Sequence, residues 1–416
     1  MDYAMQHNYN VKNAQLNVLI QEVQNKQTTS AAYPHIAGKA EFDNFKIPTQ
    51  SFINQRAFNP LAPDGIVPIA FTLPYAASAG ISGSQVLFDG SVLVALQARN
   101  TVMELARQQE KLSRSELRYN IFKTYNSVVV VQHQYGLLKN MLTYLRSMMR
   151  DMTLMRENGF VEKIDESRLA VAVNNAVNDS MRIGNLEKLT EQVLKYQIGM
   201  DINAPITLTD TNLNDHVVNA PTLVGQDADY DRVPEMALAN SQVTMYQYNL
   251  KRYQYSALPS IAVFAAYGSN YGSDKFKDIM KFKNYWANET IGLQLNVPIF
   301  NGMLRQNQMK EARLNIERSK NSVAFLTQSL DFQSIQSKTS LRNALLQIQN
   351  QRKNLELAND VLELARKKYK EGVGANLEVT TAQNDYLMAQ NNYFATMLDL
   401  LNAEAELRKA LGLFNY

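Results

Sequence analysis

The 416-residue chain contains no cysteine, which excludes disulfides, thiolate metal sites and a lipid-modified N-terminal cysteine for the chain as given. No apolar run reaches the roughly 18 residues that a membrane-crossing helix needs, so a helical span is excluded. Charge of one sign is also scarce. Lys and Arg total 42 against 39 Asp and Glu, a net of +3 that is evenly spread. Phosphate backbones are bound by clustered basic residues, so nucleic acid is not an expected partner. His7, His35, His133 and His216 are scattered without ligand spacing, which argues against a zinc site. No glycine-rich loop follows a strand to cradle phosphate, and "KEGVGAN" lacks the P-loop lysine. "GISGSQ", near residue 80, falls in a predicted strand with no partner histidine nearby. Neither an enzyme activity, a metal nor a cofactor is expected. The opening "MDYAMQHNYNVKNAQL" reads as a polar amphipathic helix with no hydrophobic leader core, so a signal peptide is either absent or already removed.

What the chain does have is an internal duplication. Gly159 matches Gly372, and Gly199 matches Gly412, both at an offset of 213. "VLFDG" ending at Gly90 matches "PIFNG" ending at Gly302 at 212, and "YPHI" from Tyr33 matches "LPSI" from Leu258 at 225. The reading is of repeat one at 9–202, a linker or equatorial segment at 203–233 and repeat two at 234–415. Each repeat starts with a helix, 9–32 or 234–257, followed by a proline and two strands. The strands are expected at about 34–47 and 66–88 in the first repeat, and at about 259–272 and 286–300 in the second. In "TIGLQLNVPIF", Ile291, Leu293, Leu295, Val297 and Ile299 alternate with Gly292, Gln294, Asn296 and Pro298, the period of two that marks a strand. Phe42, Phe45, Tyr75, Tyr267, Tyr271, Tyr285 and Trp286 flank these segments as candidate membrane-interface aromatics.

A very long helix follows in each repeat, at about 90–157 and 302–370. At 1.5 Å per residue each would reach roughly 100 Å, more than a globular core requires. Ile121, Val128, Tyr135, Leu142 and Met149 fall at heptad spacing, with Thr124, Val131, Leu138, Leu145 and Met152 three residues on. Leu341, Ile348, Leu355, Leu362 and Tyr369 form the equivalent stripe, interleaved with Ala344, Ala358 and Ala365. This is a coiled-coil seam suited to closely approaching helices. Two glycine turns then reverse the chain into returning helices at 165–199 and 377–412. Four strands cannot close a barrel, since small ones use about eight. Either they form a modest open sheet on a helical rod, or several chains pool them into a membrane barrel.

The duplicated order of elements, with "NVPIFNGMLRQNQMKEA", "KKYKEGVGANLEVTTAQNDYLMAQNNY" and a final "LRKALG", resembles the TolC family of outer-membrane efflux proteins across essentially the whole chain. The resemblance implies a mixed α and β membrane protein, a homotrimer that pools four strands per chain into a twelve-stranded β-barrel and continues as a coiled-coil tunnel. It implies location in the outer membrane of a Gram-negative bacterium, in contact with outer-membrane lipid and reaching into the periplasm. A periplasmic adaptor (membrane fusion protein) and an inner-membrane transporter are the implied partners. The implied function is the passive exit duct of a tripartite pump for small molecules such as drugs. Export of protein by a type I secretion system is the alternative, and a soluble coiled-coil scaffold is the competing reading from another class.

On that resemblance the glycine turns are periplasmic tips. Asn158, Gly159, Phe160 and Val161 in one, with Gly372, Val373 and Gly374 in the other, become candidate adaptor contacts. Family members narrow the tunnel with acidic rings on the returning helix. Glu378 lies six residues after the tip glycine, with Asp165 in the matching place, while the next ring position holds Thr381 and Arg168 instead of acids. A single Glu378 ring is therefore expected rather than a double one. Glu378 and Asp165 also suit a helix N-terminus, where negative charge meets the dipole favourably. Arg168 can pair with Asp165 within the helix or with a neighbouring hairpin.

Overall fold

The structure is a computed structural model that describes residues 1–57, 59–281 and 285–414. The chain begins with α1 (Asp2–His7) and α2 (Tyr9–Ser30), then β1 (His35–Asn44), β2 (Gln50–Asn54), β3 (Ile66–Ala70) and β4 (Tyr75–Phe88). The long helix α3 (Gly90–Glu157), the returning helix α4 (Lys163–Ile198) and the short α5 (Leu213–Val224) follow. The second half comprises α6 (Pro234–Tyr255), β5 (Ser260–Ser273), α7 (Phe276–Ile279), β6 (Trp286–Asn296), α8 (Leu304–Lys370) and α9 (Asn376–Ala410). Two compact units cut across these halves. One comprises Met1–Ile20, Met103–Val243 and Arg318–Tyr416, the other Gln21–Val102 and Thr244–Glu317.

In the first unit the heptad positions are the core. Ile121, Val128, Leu142, Leu145 and Met152 of α3 are buried, as are Leu341, Ile348 and Leu362 of α8. Ala344 and Ala365 are buried beside them, where their small side chains permit close helix approach. The chain joining the halves is more than a linker. Within it α5 buries Ala220 and Leu223 against Leu400, Leu401 and Leu407 of α9.

The second unit holds a four-stranded antiparallel sheet in the order β1-β4-β5-β6. Ala40, Ala79 and Ser269 lie in one cross-strand row, and Phe42, Ala77 and Tyr271 in another two residues away. Since side chains alternate between faces, these rows share a face with Ile36, Ile81, Tyr267, Ile291, Leu293 and Leu295. That face is apolar and exposed, with Ile291 at 71% and Leu293 at 72% accessible; Glu289 is its one acid among the described strand residues. The opposite face carries Lys39, Glu41, Asp43, Ser78, Ser82, Asn270, Asn288 and Thr290.

Three strand expectations need correction. The segment 66–88 is two strands, because residues 71–74 break the ladder at Pro74, whose carbonyl instead accepts from the Phe45 N–H at 2.7 Å. β3 leaves the main sheet and pairs with β2 in a separate hairpin that sequence reading did not identify. The strand expected at 286–300 stops at Asn296, so Val297 and Ile299 lie beyond it, next to Pro298, which has no ladder donor. The expected end of repeat two, residue 415, lies outside the described residues.

Candidate functional site: the hairpin turns and the sheet faces

Both long helices end in the same local structure. Gly159 has φ of 77°, and the N–H groups of Gly159 and Phe160 donate to the carbonyls of Arg156 (3.0 Å) and Met155 (2.9 Å). At the second turn Gly372 has φ of 74°, and Gly372 and Val373 donate to Tyr369 (3.1 Å) and Lys368 (3.0 Å). This paired pattern is the Schellman motif, and its left-handed residue is where glycine carries no Cβ penalty. The chain then turns back through Glu162 and Ala375, the extended residues that precede α4 and α9.

Large apolar groups stand exposed at these turns. Phe160 and Val373 are each 79% accessible, whereas Val161 packs against the core formed by Met152, Leu169 and Val379. Asn158 donates its amide to the Leu154 carbonyl at 2.7 Å, and Gly374 donates its N–H to the Lys368 carbonyl at 3.1 Å.

The two turns touch through Asn376, a buried residue opening α9 that sequence reading missed. Its Nδ2 lies 3.3 Å from the Asp165 carbonyl and 3.5 Å from Asp165 Oδ1. Asp165 also pairs with Arg168 of its own helix at 3.7 Å, the intrahelical arrangement. A stronger pair, Arg156 to Glu166 at 2.6 Å, ties the end of α3 to the start of α4, with Thr153 donating to Glu166 at 3.0 Å. Glu378 is exposed in the first turn of α9 and forms no ion pair among the described residues. Thr381, one turn further along, is exposed as well. Thus Asp165 is occupied by Arg168 and by Asn376, and Glu378 presents a carboxylate with no ion pair among the described residues.

The sequence-selected aromatics divide by face. Phe42, Tyr75, Tyr267 and Tyr271 lie on the apolar face, and Tyr285 joins Tyr271 with ring centroids 5.0 Å apart. Trp286 falls on the polar face opposite Asn270, and Phe45 lies just past β1.

Comparison with known proteins agrees with this geometry. Residues 230–413 match the family model described as outer membrane efflux protein. The chain is 24% identical over 354 residues to the probable efflux pump outer membrane protein TtgC of Pseudomonas putida, covering 82% of this chain and 69% of that protein. It is equally similar to the antibiotic efflux pump outer membrane protein ArpC of Pseudomonas putida, with the same coverage. Among solved structures, the outer membrane protein VceC of Vibrio cholerae superposes with a TM-score of 0.71 at 15% identity, over 99% of this chain and 94% of that one. The Campylobacter jejuni CmeC outer membrane channel gives 0.72 at 15% identity, over 99% and 84%. The family match covers the second half, and the first half carries the same order of helix, strands, long helix, glycine turn and returning helix. The second half of the chain thus matches the outer membrane efflux protein family, and the whole chain has the fold of these solved outer-membrane channels.

Proposed function

We propose that three copies of this chain pool their sheets into a twelve-stranded barrel in the outer membrane and extend a helical tunnel into the periplasm. There they serve as the exit channel of a tripartite efflux pump. The observation that carries this reading is the sheet itself. It has one apolar face, one polar face and, among the described residues, two unpaired edges, β1 and β6. Along β5 the apolar face runs from Ile261 to Tyr271. At about 3.4 Å per residue and the usual tilt of roughly 40°, that is on the order of 25 Å, the height of an outer-membrane apolar band. A soluble scaffold would leave this face in water.

The glycine turns fit the periplasmic end. Exposed Phe160 and Val373 suit docking of an adaptor, as does the shallow groove between α8 and α9 lined by Val361, Leu364 and Leu377. Glu378 borders the same groove, and as one unpaired carboxylate per copy it would form a cation-favouring ring of three. The relatives are named for efflux of antibiotics and toluene, which favours small molecules over a secreted protein as cargo.

Single-channel current in a planar bilayer tests the proposal. Detergent-purified protein should give discrete, small, cation-selective steps, and Glu378→Ala should give larger or less selective ones. Identical steps in both would move the constriction toward Asp165 and Arg168. Protein that never inserts and stays soluble without detergent would overturn the channel.

A further inference from the structure

The short helix α7, which follows β5, lies over the apolar face of the sheet. Phe276 of α7 packs edge-on to Phe42 at 5.6 Å and to Tyr75 at 5.9 Å, both on that face. Ile279, the last residue of α7, is buried, and the Tyr285 hydroxyl donates to its carbonyl at 3.3 Å. Under the helix the strands present Ala40, Ala77 and Ala79, side chains too short to fill the gap. The result is an apolar crevice of about 740 Å³, with an alanine floor and a wall of Phe276, Ile279 and Met280. Phe276 and Met280 are themselves mostly exposed.

Charge lies beside this crevice. Among the described residues that follow β5, Lys275, Lys277 and Lys281 stand against Asp274 and Asp278. Asp278 is engaged by Lys281 at 2.8 Å and by Ser273 at 3.4 Å. Lys275 and Lys277 are exposed and form no ion pair among the described residues; Glu41, which also lines the crevice, is paired with Lys39, and Asp274 is exposed beside Lys275. By chain order this is the end of the sheet away from α2 and α3, because β1 leaves α2 and β4 leads into α3.

We propose that this crevice binds an anionic outer-leaflet lipid, with one acyl chain between α7 and the alanine floor and its headgroup phosphate at Lys275 and Lys277. The inference rests on the outer-membrane reading above, which places the apolar face in lipid. A bare apolar face would be content with any hydrocarbon. Here the slot is walled by protein on more than one side, and exposed Lys275 and Lys277 flank Phe276 of that wall in the chain, so a phosphate-bearing lipid is favoured over a neutral one.

Native mass spectrometry of the detergent-solubilised full chain, titrated with diphosphoryl lipid A or its dephosphorylated analogue, tests this. Conductance is recorded on the same preparations. The wild-type trimer should retain lipid A about tenfold more strongly than the analogue. Lys275→Ala with Lys277→Ala should remove that preference, and Ala79→Phe, which fills the floor, should weaken both lipids. The lysine substitutions are on the exposed surface, so they decide the matter even if Ala79→Phe fails to assemble. A conducting trimer that binds both lipids equally, or whose lipid A occupancy the lysine pair leaves unmoved, overturns this inference alone. Wild-type protein that neither trimerises nor conducts overturns the outer-membrane reading along with it.

Discussion

Glu404 of α9 is fully buried, yet both its oxygens are satisfied. Oε2 faces His216 Nδ1 of α5 at 2.9 Å, and Oε1 accepts from Arg408 Nε at 2.8 Å and Nη2 at 2.7 Å. Burial pushes this carboxyl up, but the bonds from His216 and Arg408 outweigh it and hold the group below its ordinary value. A carboxylate lowered by folding contributes stability that is complete above its unfolded value, about 4.3, and is lost as pH falls through the lower folded value. Thermal unfolding should therefore be insensitive to this group from pH 8 to about 5 and weaken below about 4. Glu404→Gln should cost about 1.5–3 kcal/mol at neutral pH by weakening the charge-assisted bonds from Arg408 and His216, and should flatten the acid limb. An unchanged acid limb in that variant would assign it to other carboxylates. At the first turn, Gly159→Val forces a branched side chain to φ of 77° and should cost about 1–2 kcal/mol. Gly159→Asn should cost less, because asparagine enters the left-handed region more readily, and paired denaturation curves would show the difference.

Among the elements, the strands make the sharpest prediction. Leu293→Lys places a charge on the apolar face of β6 and should destabilise the membrane-inserted barrel by about 2–4 kcal/mol. Asn288→Lys, on the opposite face of the same strand, should be close to neutral. Equal losses in a refolding titration into lipid would refute the assignment of faces, and a larger loss at Asn288 would reverse it. That assignment was legible in the alternation of Ile291, Leu293 and Leu295, just as the helix seam was legible in the spacing of Leu341, Ile348 and Leu362. Periodicity says which face of an element is apolar, and both patterns run long enough to be read. It does not say which elements are neighbours. The β2–β3 hairpin was lost because each strand is five residues long, and "IVPIAFTLPYAASAGISG" reads as continuous until Pro74 breaks it. The contact of Asn376 with Asp165 spans 211 residues and that of His216 with Glu404 spans 188, so no local pattern announces either. At the tips, the glycines and Glu378 were found from their spacing. Asn376 was not, since a polar residue opening a helix looks ordinary until its burial is seen.

For the whole molecule the question is what pairs with β1 and β6. An exposed sheet edge is a row of open hydrogen-bonding groups that invites another chain. In an alternating four-stranded sheet β1 and β6 run in opposite directions, so β6 of one copy can continue antiparallel onto β1 of the next. Because the chain has no cysteine, introduced pairs report without background. Ala37→Cys on β1 can be combined in turn with cysteine at Asn288, Thr290 or Gln294 on β6. Within one copy the two edges are three strand spacings apart, about 14 Å, beyond the roughly 7 Å limit for a disulfide. Any bridge must therefore join separate chains. A closed ring of three should give at least one combination that oxidises to a covalent trimer and goes no further on a non-reducing gel. A ladder continuing past the trimer would mean that the edges pair without closing, and the absence of bridging in every register would refute edge-to-edge closure.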